Sequence, residues 1–266
     1  MTPNLTVRKT KDASVGEYSL GEWRLSIAAG PPGYYRLAQL DDYSGRTRGD
    51  FLWKPPVRLD LRARVSQPDL PGTWGFGFWN DPFNASMGLG GSSRRLPALP
   101  NAAWFFFASP ANYLSLRDDR PAQGFLAATY SSPAVPAPLL GMLLVGLPLL
   151  GWSASARYLR RLARRSIHDD SCLVETDVAQ WHTYGLAWHE DRVHFFVDGD
   201  ECFATDVVPH PPLGLVLWID NQYAALPPAG RLRFGTLANP RSAWLEMTSI
   251  TVEMGVVTFE SNAATP

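Results

Sequence analysis

Two acid-bearing clusters stand at the ends of apolar, tryptophan-containing runs in this sequence. One is Asp220-Asn221-Gln222-Tyr223, directly after "LGLVLWI", and the other is Trp79-Asn80-Asp81, directly after "TWGFGF". A carboxylate, two amides and a phenol in consecutive positions offer both donors and acceptors, the chemistry needed to hold a polar small ligand. Trp79 and Trp218, with Trp104 and Tyr130 in neighbouring apolar runs, add flat faces on which a ring can stack. Asp81 and Asp220 could also act as general acid and base if the fold brings them together. A different chemistry resides in Arg157, Arg160, Arg161, Arg164 and Arg165, whose spacing follows one face of a helix and makes a cationic stripe suited to an anionic surface.

Composition narrows the classes of function. The 266 residues carry 25 acids and 24 bases, so no global field directs the chain toward nucleic acid, and no nucleic-acid partner is expected. Cys172 and Cys202 are too few for a disulfide framework or a zinc site, and free thiols are expected in a reducing compartment. The opening "MTPNLTVRKTKDASVGEY" holds no apolar run and no small-residue cleavage site, which leaves a cytoplasmic location as the expectation.

The elements that must position these residues read as strands. In "VRLDLRARV", Val57, Leu59, Leu61, Ala63 and Val65 alternate with Arg58, Asp60, Arg62 and Arg64, the pattern of a half-buried antiparallel strand. Runs of the same kind occur at "EWRLSIA", "YYRLAQL", "TWGFGFW", "AAWFFFAS", "NYLSL", "GFLAATY", "WHTYGLAW", "RVHFFVDG", "LGLVLWID", "GRLRFG" and "EMTSITVEM". About a dozen strands suit a jelly roll of two large sheets better than a smaller sandwich. One region breaks the period of two: Pro121 to Ala156 contains no charge, and within it Leu139 to Leu150 predicts a short apolar helix kinked by Pro148. Ser153 to Ser166 predicts a second helix, capped by Ser153 and bearing the arginine stripe. The expected organisation is a single domain over residues 1–266 with a helical insertion at 134–170.

Three stretches resemble the concanavalin A-like glucanases, specifically the family 16 glycoside hydrolases of laminarinase and lichenase type. They are "LRARVSQPDLPGTWGFGFW", "WHTYGLAWHEDRVHFFVDGDECF" and "EMTSITVEM", which together frame most of the chain. The resemblance implies an all-β, concanavalin A-like jelly-roll sandwich of two curved antiparallel sheets, here with the helical insertion. One departure is decisive. Retaining glycosidases of this kind place two carboxyl groups about 5 Å apart on one strand, in the pattern E-x-D-x-E or E-x-D-x-x-E. The matching strand here is "NAAWFFFAS", and no Asp or Glu occurs between Pro82 and Arg117.

If the resemblance holds, "PPLGLVLWIDNQYA" is a central strand of the concave sheet, with Gly214, Val216, Trp218 and Asp220 facing outward and Leu213, Leu215, Leu217 and Ile219 facing the core. Gly75, Gly77, Trp79 and Asp81 then face the same groove, the glycines leaving room for a ligand. The expected site is a groove lined by Trp79, Asn80, Asp81, Trp104, Tyr130, Trp218, Asp220, Asn221, Gln222 and Tyr223, holding a saccharide or other small ligand. Three readings follow: a carbohydrate-binding or carbohydrate-active protein without the usual acids, an enzyme with Asp81 and Asp220 as relocated acids, or a protein docked on an anionic membrane surface through Arg157, Arg160, Arg161, Arg164 and Arg165. A span is not expected, because Ala137 to Trp152 would reach only roughly 24 Å as a helix against a hydrocarbon layer of roughly 30 Å. No cofactor is expected; the resemblance admits a structural calcium ion, though no Asp-rich loop marks a site.

Overall fold

A computed structural model of the chain describes residues 2–82, 98–135, 153–228 and 232–255. The apolar stretch expected as a short helix over Leu139 to Leu150 lies outside the described residues.

Among the described residues are sixteen strands, and fourteen of them form two antiparallel sheets of seven. The first, here the groove sheet, runs β1(Thr6–Lys9), β4(Leu37–Asp41), β13(Gly214–Asp220), β6(Thr73–Trp79), β7(Ala102–Ala108), β8(Gly124–Ser131), β9(His168–Leu173). The second runs β12(Asp200–Thr205), β11(Val193–Val197), β10(His182–Trp188), β5(Val57–Val65), β16(Ala243–Met254), β3(Glu22–Ile27), β2(Ala13–Ser19). A small hairpin of β14(Gln222–Ala225) and β15(Arg233–Thr236) stands apart. "NYLSL" is not a strand. It is a loop held by a single bridge from Tyr113 to Ala225, because its backbone groups bond the hairpin instead of a sheet neighbour.

The sandwich forms because alternation gives each sheet one fully apolar face. Val57, Leu59, Leu61, Ala63 and Val65 of β5 are all buried, while Arg58 and Asp60 pair with each other on the outer side. Across the core they face Trp74, Phe76, Phe78, Phe105, Leu215, Leu217 and Ile219 of the groove sheet. The hairpin of β11 and β12 turns at Asp198-Gly199, both with positive φ (53° and 94°), the conformation a two-residue turn requires. His182 serves that hairpin: its Nδ1 lies 2.6 Å from Asp198 Oδ2, so its role is to hold the turn. Cys172 and Cys202 are free thiols.

Helix α1(Ser153–Ser166) is present as expected, but its arginines do not form one free stripe. Arg160 is buried: it donates to the carbonyls of Ser115 and Leu226 and to Asp118 Oδ1, at 2.8, 2.8 and 2.7 Å. Arg164 pairs with the other oxygen of Asp118 at 2.9 Å. These two side chains therefore belong to the protein's own packing, because the helix lies against the 113–118 loop and the chain end of β14. Arg160→Met is expected to cost about 3 kcal/mol, since two buried carbonyls lose their donor. Urea denaturation measures the loss, and limited proteolysis within residues 153–166 should accelerate with it.

Candidate functional site

The outer face of the groove sheet can be built from the register of its strands. Asp220, Thr73, Ala108 and Gly124 stand side by side across β13, β6, β7 and β8, and Leu37 flanks Asp220 on β4. The next row is Gln39, Trp218, Gly75, Phe106 and Leu126, and the next is Asp41, Val216, Gly77, Trp104 and Ala128. A fourth row holds Gly214, Trp79, Ala102, Tyr130 and Asp169. Two seven-stranded antiparallel sheets share one core, and the groove sheet carries this second, aromatic cluster on its outer face. The fold is a β-sandwich of two large antiparallel sheets.

On this face the four aromatic residues singled out from sequence converge. The ring of Trp218 lies 5.4 Å from Trp104 and 6.3 Å from Trp79, the latter nearly parallel, and Trp104 lies 5.8 Å from Trp79 and 6.1 Å from Tyr130. Phe106, in alternation with Trp104 on β7, joins them at 5.4 and 5.9 Å from Trp104 and Trp218. Along β7 the side chains on this face are Ala102, Trp104, Phe106 and Ala108, none of them ionisable. The glycines do not leave an open approach, contrary to expectation. A Cβ on Gly75 would meet the tip of the Trp218 indole at 2.9 Å, and one on Gly77 would meet Trp104 Cβ at 2.6 Å. Their missing side chains seat the protein's own tryptophans, and Gly214 seats Tyr43 in the same way.

Asp220 is the chemically distinctive residue of the face. Its Oδ1 accepts from Thr73 Oγ1 at 2.8 Å and from the Gln222 backbone N–H, its Oδ2 from Tyr35 OH, and Trp218 Nε1 donates to Thr73 Oγ1 at 3.0 Å. Burial pushes its pKa up to about 7 in spite of these donors. At the other end of the face, Trp79 Nε1 donates to Tyr43 OH at 2.8 Å, and Gln39 links Tyr43 to Asp41. Trp104 Nε1 is different: it is buried with no hydrogen-bond partner among the described residues.

Several expected members do other work. Asn221 is fully buried; it accepts from Arg36 N–H and donates to the carbonyls of Tyr34 and Leu237, so every part of its amide clamps backbone. Asn80 likewise bonds the backbone of Leu99 and Asn101. Gln222 and Tyr223 begin β14, paired to Thr236 and Gly235, and so belong to the hairpin beside the face. Asp81 does not meet Asp220. Thr73 is the neighbour of Asp220, the length of β6 (about 20 Å) separates Thr73 from Trp79, and Asp81 lies beyond Trp79. Glycosidic acid pairs are separated by roughly 5–9.5 Å, so these two aspartates are not such a pair. Thr73, Phe106, Gln39 and Tyr35 join the face without being singled out from sequence; stepping back by twos from Trp79 through Gly77 and Gly75 does reach Thr73.

A cavity of about 790 Å³ lies away from the tryptophans, where Ser131 and His168 pair across β8 and β9; Lys54, Glu190, Asp191, Asp206 and His210 also line it. Among the described residues no group of three or more His, Cys, Asp or Glu side chains could hold a metal ion. No described helix is long and apolar enough to cross a membrane.

No protein-family model and no curated protein matches the chain. Solved structures with a similar course include a glycoside hydrolase family protein from Mycobacterium thermorestibile, 13% identical over 88% of this chain and 76% of that one, TM-score 0.45. A family 16 endo-glucanase from Bacteroides ovatus is 10% identical over 93% and 94%, TM-score 0.46. A legume lectin-like domain from Entamoeba histolytica is 8% identical over 95% and 91%, TM-score 0.47. At these identities and scores none of them speaks to what this chain binds.

Proposed function

We propose that this chain binds a saccharide on the outer face of the groove sheet and does not hydrolyse it. The observation that carries the reading is the convergence of Trp79, Trp104 and Trp218 on one face, with Asp220 linked to Trp218 through Thr73. A sugar ring supplies C–H groups for the indole faces, of which half-buried Trp79 is the most accessible. Asp220, at about pKa 7, can accept from or donate to a second hydroxyl near neutral pH. Asp220 and Asp81 stand too far apart to serve as the acid pair of a glycosidase. Asp41, another acid on this face, sits at the far end of β4 from Leu37, the neighbour of Asp220, about 13 Å along the strand. It is also engaged by Gln39 and Ser44. Because Trp104 and Trp218 are each only 8% exposed, the favoured ligand is a short saccharide or a chain end.

Titration calorimetry against a glycan panel, with a parallel reducing-sugar assay, tests the reading. Binding without release of reducing sugar is expected, and Trp104→Ala should weaken it at least about 30-fold. Trp218→Phe should weaken it less, since a ring remains while the N–H is lost. Release of reducing sugar, or silence across the panel, would overturn the proposal. The apolar residues Leu37, Ala108, Leu126, Ala128 and Val216 around the tryptophans favour one second reading, a hydrophobic small ligand. Binding of apolar fluorescent probes together with silence on glycans would establish that reading in place of the first.

A further inference from the structure

The helix α1 has an inner and an outer side, and the outer side is unlike the rest of the molecule. At 3.6 residues per turn, Arg157, Arg161, Arg165, Tyr158 and Leu162 fall within an arc of about 140°, nearly opposite Ala163 and turned away from buried Arg160. The five are exposed, with Tyr158 at 62% and Leu162 at 40%. The helix contains no acid, and no ion pair joins Arg157, Arg161 or Arg165 to an acid among the described residues. The inner contacts of Arg160 and Arg164 fix the helix to the sandwich, so the outer arc is presented on a rigid base.

We propose that this arc docks the protein on the surface of an anionic phospholipid bilayer. Charge complementarity selects the partner's sign: three guanidiniums on one arc, without an acid partner among the described residues, attract phosphate and carboxylate headgroups, each adding to affinity near a charged surface. The two apolar side chains select a bilayer over a polyanion in solution. Tyr158 and Leu162 follow the same i, i+4 spacing as the arginines, and a phenol beside a leucine belongs at the depth where headgroups give way to acyl chains. The docked helix lies in the plane of the interface and leaves the sandwich in water. This docking is independent of the groove and its ligand.

Vesicle flotation of the full chain tests the docking. Vesicles of phosphatidylcholine with 30% phosphatidylserine should retain the protein, and pure phosphatidylcholine vesicles should not. Combined Arg157→Glu, Arg161→Glu and Arg165→Glu should weaken retention about 100-fold or more, and added salt should weaken the wild type in the same direction. Tyr158→Ser with Leu162→Ser should weaken it about tenfold while leaving the salt dependence in place. All five side chains face solvent, so an unchanged urea midpoint confirms that each variant is folded. No retention of the wild type, equal retention on neutral vesicles, or unchanged retention of the triple variant would overturn the proposal. So would tight binding of a short DNA duplex with anionic vesicles left unbound.

Discussion

Asp220→Asn is expected to remove a stability loss of about 4 kcal/mol that the wild type undergoes as pH rises from about 4 to about 8. The carboxyl is 6% exposed and burial raises its pKa from 3.8 to about 7 in the folded chain. The folded state therefore binds a proton that the unfolded state has released throughout the window between those two values. Below pH 3.8 both states are protonated and the group is neutral to stability. Through the window the folded state holds more protons, stability falls with pH, and above about pH 7 the full cost of a buried carboxylate is borne. Asparagine keeps an oxygen for Thr73 and the Gln222 N–H, and its amide can donate to Tyr35. Urea denaturation of both proteins at pH 4, 5.5, 7 and 8 measures the difference. The variant should gain steadily on the wild type across the series, and parallel curves would sink the assignment of a raised pKa. Asp42, pushed up to about 6 by burial against the donors Trp53 and Leu215 N–H, adds a background of the same sign in both proteins. For that reason the comparison is made between variant and wild type rather than within one curve.

Gly77→Ala should destabilise the chain by more than about 4 kcal/mol, far above the usual cost of a surface glycine substitution. Gly77 has φ +152°, and a Cβ there would stand 2.4 Å from the Ala103 carbonyl oxygen and 2.5 Å from Trp104 Cα. Neither atom can yield without parting β6 from β7, because both belong to the neighbouring strand's backbone. Gly45→Ala is the control: its φ is +82° and nothing lies within 4 Å of the added carbon, so it reports backbone strain alone, about 1 kcal/mol. Denaturation midpoints of the two variants separate crowding from strain, and similar losses would falsify the crowding argument. The consequence for function follows directly. Trp104 lies against Gly77, and Trp218 against Gly75 in the next row, so a side chain at Gly77 also displaces the floor on which the proposed ligand stacks.

Much of the fold was legible because an antiparallel sandwich writes its burial pattern into the chain at a period of two. Val57 to Val65, Trp74 to Phe78 and Leu213 to Ile219 each alternate, and each strand formed with the expected side inward. Strands without that contrast were not legible. β9, "HDDSCL", and β12, "DECFAT", are polar edge strands whose pairing comes from neighbours, and "NYLSL" looked like a strand but bonded a hairpin. The same limit applied to the site. Alternation put Trp79, Trp218 and Asp220 on one face, because face is a property of each strand, and the strand register sets Trp104 and Tyr130 beside them.

The sequence by itself determined the class of fold and the aromatic character of one face, since each depends only on residue type and on odd or even position along a strand. Tertiary structure alone decided how far apart those residues stand and what already occupies them. Register between β13 and β6 put Thr73 beside Asp220 and left Asp81 beyond the far end of the strand. Packing filled the glycine slots with tryptophan and turned Asn80 and Asn221 into backbone clamps. It drew Arg160 out of the basic stripe into the protein, leaving Arg157, Arg161 and Arg165 outside. Distance, occupancy and the environment that lifts Asp220 to about pKa 7 arise from residues far apart in the chain, and no local pattern encodes them.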